Sequence, residues 1–339
     1  MAEQPTRRRA WDLPRDLTPE QRRSRRTWIE HYLVELDRRY RSLDEGAPAD
    51  YIPALALADP SLFGVAVLGQ QGQHLRCGDA DVEFTIQSIS KVVLYGLALE
   101  TWGRDVVHER AGVEPSGDRF NAITFDDDDN RAFNPMVNAG ALAITDLLEG
   151  DTVDERLQAM LDAFERYLGH PVEVDQTVYR SELETAHRNR AITHLLVSRG
   201  IVSDRVEEIV ELYTMQCSIV VTATDLATIA ATLANAGVNP VTGERALAAW
   251  AVRDVLSVML TCGMYDYSGE WVYRVGLPAK SGVGGGVLAV LPGIGGLGVY
   301  SPPLDKFGTS VRGVKVCEDL AEELGMHLFE PSPPWTREP

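Results

Sequence analysis

Strand patterns sit at the two ends of this chain and helical patterns fill the middle, which constrains the fold more than any other feature. Residues 63–68 (Phe-Gly-Val-Ala-Val-Leu) read as a strand, a Gly/Gln turn leads to a second at 74–77, and a third at 83–86 runs straight into a helix beginning near Ser88. Between 100 and 245 the apolar residues recur at helical spacing, over 139–148, 153–168, 182–199, 203–216 and 224–235. Gly237 is a suitable stop for the last of these. A turn at 239–243 and a helix over 247–260 follow. Strand character then returns at 271–275, 279–281, 287–291 and 297–300, ahead of a final helix over 311–324. The expected fold class is α/β in the α+β sense, a sheet begun by the first strands, completed by the last, and interrupted by an all-helical insertion. The expected division is a helical extension over 1–48, a sheet domain from 49–99 with 245–330, and a helical domain over 100–244.

The extension reads as one helix over 18–43. Thr18 is its expected N-cap, Glu20 and Gln21 follow, and Trp28, Tyr32, Leu33 and Leu36 form an apolar stripe. Residues 1–48 hold 11 arginines against 9 acids, and that interleaving favours a docked helix over a nucleic-acid arm. The whole chain carries −18, which argues against nucleic acid or an anionic membrane as the main partner. No apolar run approaches the roughly 18 residues of a membrane span, and the first 45 residues lack the apolar core of a secretory signal. Cys77, Cys217, Cys262 and Cys317 show no metal-ligand or redox spacing, so they read as reduced, packed thiols of a cytoplasmic protein.

The chemistry concentrates in residues 84–100. Ser88 and Lys91 stand three apart at a helix start, so their side chains share a face. Serine is a poor nucleophile until a base takes its proton, and a lysine amine serves once burial and the helix N-terminus lower its pKa. Arginine cannot do this, because its guanidinium keeps its proton. The contrast matters in a chain with only four lysines among 32 basic residues: Lys91, Lys280, Lys306 and Lys315. The Ser88 N–H, in the first helical turn, is also a candidate donor to an oxyanion. A second motif, Lys280-Ser281-Gly282, lies in the returning strand region ahead of Val283 and three glycines, which let a backbone approach a ligand closely.

Together the two motifs resemble the β-lactamase and penicillin-binding fold, where Ser-x-x-Lys heads a helix and Lys-[Ser/Thr]-Gly lies on the adjacent edge strand. Neither Ser-Asp-Asn nor Tyr-x-Asn occurs, so the middle element of β-lactam enzymes is missing. The resemblance is closer to the serine-dependent glutaminases, through ordered blocks at 50–56, 84–92, 133–142, 216–237, 262–269, 276–286 and 301–308. It runs from about Tyr51 to Phe329. It implies a β-lactamase-like fold, an antiparallel sheet flanked by helices with a helical insertion and a site in the cleft between. It also implies hydrolysis of L-glutamine to L-glutamate and ammonia through a glutamyl-serine intermediate, no metal or organic cofactor, and a homodimer or homotetramer.

Carried over by position, the resemblance makes Ser88 the nucleophile, Lys91 its base and Tyr265 a partner in proton transfer. It gives the oxyanion to the N–H groups of Ser88 and Val283. Glu182 would accept the substrate α-ammonium, Tyr51, Asn138, Asn189 and Tyr213 would hold the α-carboxylate, and Gln87 would orient the pocket beside Ser88. Taken alone, Glu182 reads as a surface carboxylate, Tyr213 as a helix-face aromatic and Cys217 as a packed thiol. Residues 126–129 read as a solvated acidic loop, the seven histidines as scattered surface residues, and Lys306 and Lys315 as structural. Two other readings compete: a Ser-Lys hydrolase acting on β-lactams or acylated amines, and a non-catalytic amino-acid sensor on the same fold.

Overall fold

The structure, a computed structural model, describes residues 19–119 and 121–330, with side chains from residue 26 onward. The chain opens with helix α1 (Pro19–Tyr40), followed by β1 (Gly64–Gly69), β2 (His74–Gly78) and the short β3 (Phe84–Thr85). Helices α2 (Ser90–Arg110), α3 (Asn138–Thr145), α4 (Val153–Leu168), α5 (Gln176–Thr185), α6 (His187–Ser198) and α7 (Val206–Cys217) come next. Then come β4 (Val220–Val221), α8 (Ala223–Ala234), α9 (Ala249–Cys262) and α10 (Ser268–Arg274). Strands β5 (Ala279–Ser281), β6 (Gly286–Leu291) and β7 (Gly295–Tyr300) and helix α11 (Val311–Leu324) complete the described chain.

Five strands form one antiparallel sheet in the order β2-β1-β7-β6-β5, so the last strands close the sheet that the first two open. Strand alternation sorts the side chains into two layers. Val287, Ala289, Leu297 and Val299 face α1, α10 and α11, packing with Leu33, Leu36, Trp271, Val316 and Leu320. Leu288, Val290, Ala66 and Leu68 face the other way, into a core shared with α8 and the helices of the middle segment. On that face alanine-rich α8 lies almost in contact with glycine-rich β7. A Cβ added at Gly298 would stand 2.1 Å from the Ala223 carbonyl oxygen, and one at Gly296 2.3 Å from the Ala231 nitrogen. Only glycine permits this approach.

Several helix ends follow sequence rules. Thr152 and Glu155 make a reciprocal capping box on α4, Thr222 and Asp225 do the same on α8, and Gly169 ends α4 in the left-handed region. Thr18, the expected cap of α1, lies outside the described residues, as do the side chains of Glu20 and Gln21. Trp28 departs from the expected stripe: it stays 38% exposed, stacked on Tyr32, while Ile29, Leu33 and Leu36 are buried.

Two of the expected elements differ in the structure. Residues 271–275 do not form a strand but lie in α10 and its C-terminus, where buried Trp271 donates to the Leu277 carbonyl and Arg274 pairs with Glu270 one turn back. A short aromatic and β-branched run suits a strand or a buried helix equally, and tertiary packing decides it. The single helix expected over 182–199 is two. Asp175 caps α5 by accepting from the Thr177 and Val178 N–H groups, and the chain turns at Ala186 before α6. The acidic loop is tied into the surface by Arg131, which pairs with Asp126 and Asp129, and by Arg199, which pairs with Asp127.

Candidate active site

The site is built around the turn that joins β3 to α2. β3 pairs with β4, and the Ile86 N–H donates to the Ile219 carbonyl, so the approach to Ser88 is anchored to the segment after α7. Ser88 lies on a one-turn 3₁₀ segment, Gln87–Ile89, that leads into α2, slightly ahead of the expected first α-turn. Gln87 enters it with φ +52°, a left-handed conformation that costs a non-glycine residue on the order of 1 kcal/mol or more.

Lys91, one turn on, is 1% exposed. Its Nζ donates to Asn138 Oδ1 at 2.7 Å and to the Met136 carbonyl at 3.3 Å. Burial lowers its pKa to about 8, a fall moderated by Cys217 and Glu182. Asn138, at the start of α3, is the hub: Oδ1 also accepts from the Tyr213 hydroxyl at 3.1 Å, and Nδ2 donates to Asn189 Oδ1 at 3.0 Å. One amide thereby joins α2, α3, α6 and α7.

Glu182 on α5 is not the surface carboxylate that it looks like in isolation. It is 8% exposed and accepts from Gln87 Nε2 at 3.3 Å, and burial lifts its pKa to about 7. Gln87 Nε2 also donates to Thr85 Oγ1. Cys217 is packed, as expected, but its neighbours are polar: its thiol interacts with Glu182 and with the Tyr213 hydroxyl, and burial drives its pKa up. Tyr51 lies at the mouth, half exposed, and acts electrostatically with Glu182 and Tyr265. Its segment is pinned where the Ala54 N–H donates to Ser181 Oγ and where Ile52 and Leu55 pack with Val178 and Val283.

Tyr265 enters from the far side on the turn between α9 and α10, also with positive φ (+57°). Its phenol lies in hydrogen-bond range of the Ser88 hydroxyl and donates to the Ser281 carbonyl at 3.4 Å, and burial raises its pKa. Lys280 on edge strand β5 faces the same ring, with Nζ 3.7 Å from the centroid and donating to the Ser281 carbonyl at 2.8 Å. Burial, then Lys91, drive the Lys280 amine well below the usual lysine value. Val283 sits in the turn between β5 and β6. Its flanking glycines lie against the Ser88 segment: a Cβ at Gly282 would stand 2.8 Å from the Ile86 carbonyl oxygen, and one at Gly284 2.7 Å from that of Thr85.

The structure thus brings Ser88, Lys91, Gln87, Asn138, Glu182, Tyr213, Tyr265 and Val283 into one buried cluster, with Tyr51 and Asn189 at its rim. Sequence reasoning passed over Ser90 and Gln216, both buried against the same turn, although both stand in the ordered blocks.

The glutaminase family model matches residues 46–329. The chain is 54% identical over 296 residues to a glutaminase of Nostoc sp., covering 87% of this chain and 89% of that one. The crystal structure of Mglu in its tris and glutamate form superposes with a TM-score of 0.85 at 43% identity, covering 89% of this chain and 68% of that one. A Bacillus subtilis glutaminase, in covalent complex with 5-oxo-L-norleucine, superposes with a TM-score of 0.80 at 36% identity, covering 89% of this chain and 99% of that one. The antiparallel sheet with its flanking helices is the β-lactamase-like fold of these neighbours. Fold, ordered motifs and relatives agree: the chain belongs to the glutaminase family and is an amidohydrolase.

Proposed function

We propose that this glutaminase hydrolyses the side-chain amide of L-glutamine to L-glutamate and ammonia through a Ser88 acyl-enzyme. The observation that carries the reading is Lys91: a fully buried amine, one turn from Ser88, with its pKa lowered to about 8. At neutral pH such an amine is part neutral, the state a base requires.

Lys91 takes the Ser88 proton as Oγ attacks the amide carbon. Charge on the former carbonyl oxygen is met by the N–H groups of Ser88 and Val283, donors fixed before the reaction begins. Collapse breaks the carbon–nitrogen bond, and the proton that Lys91 took passes to the departing nitrogen, with Tyr265 in its path. Water then attacks the glutamyl ester, and the proton it loses returns to Ser88 as glutamate leaves.

The far end of the pocket sets the substrate class. Glu182 receives the α-ammonium, and Asn138, Asn189, Tyr213 and Tyr51 receive the α-carboxylate. A peptide-bonded glutamine supplies neither charge and leaves those polar groups unpaired, which a closed site penalises by orders of magnitude. The lobe holding the sheet and the lobe formed by residues 100–244 meet at this pocket. Glutamate production is to be measured from L-glutamine, L-asparagine and a glutamine blocked at both α-groups. Turnover confined to free L-glutamine supports the reading. Equal turnover of the blocked compound refutes the assigned pocket.

A further inference from the structure

The proposed mechanism asks the Ser88 N–H to point at the oxyanion, yet the peptide that carries this N–H follows a residue with φ +52°. A strained peptide keeps its direction only where its surroundings over-determine it. In a trans peptide the N–H of one residue and the C=O of the residue before it lie in one plane and point opposite ways. Fixing the Gln87 carbonyl therefore fixes the Ser88 N–H.

The Gln87 carbonyl is held twice by Ser90: its backbone N–H donates to that oxygen, and its hydroxyl donates to it at 2.6 Å. A serine hydroxyl bonded to a carbonyl three residues back is common in helices and proves little alone. Here a second side chain fixes it. Gln216, at the end of α7, donates from Nε2 to Ser90 Oγ at 2.9 Å. The 2.6 Å oxygen–oxygen distance requires the Ser90 proton, so the Gln216 group facing Ser90 is its NH₂. Gln216 Oε1 in turn lies 3.4 Å from Thr145 Oγ1. Ser90, Gln216 and Thr145 are at most 1% exposed, so water does not compete for these bonds.

We infer that Ser90 and Gln216 are positioning residues for this reaction, a relay from α7 that locks the Gln87–Ser88 peptide and aims the Ser88 N–H at the oxyanion. The inference rests on the Ser88 acyl-enzyme reading. Neither side chain needs to touch substrate, and ground-state binding at Glu182 and Asn138 stays intact. The relay therefore acts on kcat and leaves KM nearly alone.

Steady-state kinetics on L-glutamine test this with the full chain. Ser90→Ala is expected to lower kcat about 10- to 100-fold with KM within about twofold, the scale of a misaimed oxyanion donor. Gln216→Met, close in shape and without a donor, is expected to lower kcat the same way. The double variant is expected to be no worse than Ser90→Ala, because both act through one bond. Unchanged kcat, a loss carried by KM, or losses that multiply in the double variant overturn the relay. If Ser90→Ala fails to fold, the kcat and KM of Gln216→Met decide alone. Ser88→Ala separates the two layers. Turnover in that variant refutes the acyl-enzyme reading and the relay with it, whereas an inactive Ser88→Ala beside a fully active Ser90→Ala refutes the relay only.

Discussion

At the residue scale, the decisive choice is lysine at position 91. The chain uses arginine for 28 of its 32 basic residues, yet it places lysine where the proposed mechanism needs a cation able to lose its proton. This has a consequence in pH. The proposed chemistry needs Lys91 neutral and Glu182 ionised, and their pKa values lie near 8 and near 7. Both requirements are met by losing a proton, so kcat/KM is expected to rise in two steps from pH 6 to about pH 8.5, before the substrate α-ammonium loses its own proton, and Glu182→Gln is expected to abolish the lower one. A profile that falls over this range contradicts both assignments. Ser88 and Lys91 were legible in the sequence because their relation is local, three residues on one face. The burial of Glu182 and the polar neighbours of Cys217 were not, since both depend on α5 packing against α7 and α7 against the Gln87–Ile89 turn. Positive φ at Gln87 and Tyr265 was equally hidden, because neither residue is a glycine or asparagine that would signal it.

Among elements, the approach of α8 to β7 holds the sheet under the site. Alanines along α8 and glycines at 296 and 298 leave backbone against backbone, and α8 directly follows β4, which anchors the approach to Ser88. Gly298→Val drives a branched side chain into the Ala223 carbonyl. It is expected to cost about 3 kcal/mol or more in chemical denaturation, the upper end for overpacking. A loss under 1 kcal/mol would show that α8 moves aside freely. Strand and helix positions with strong local signals were readable from sequence, among them α4 and α11, expected over 153–168 and 311–324 and found there. The segment at 271–275 was not, because Trp271 and its neighbours carry no local preference that outweighs packing against the sheet.

For the molecule as a whole, helix α1 lies before the family-matched segment at residue 46, yet it packs as part of the core. Ile29, Leu33 and Leu36 bury against the sheet, and Arg41 bonds Asp37, Asp79 and the Phe63 carbonyl. Each buried aliphatic side chain contributes about 1.5–3 kcal/mol, so a chain beginning at residue 46 is expected to melt at a clearly lower temperature than the full chain. An unchanged melting temperature would make α1 a passenger. The net charge of −18, by contrast, says little about the proposed zwitterionic substrate, which gains little from long-range steering. What unites the scales is the proposed covalent step at Ser88. The measurement that tests it most directly is ammonia release from L-glutamine by Ser88→Ala, with circular dichroism and thermal melting showing that the variant is folded. The account predicts a folded protein with no turnover above background. Turnover retained by a folded Ser88→Ala would contradict it.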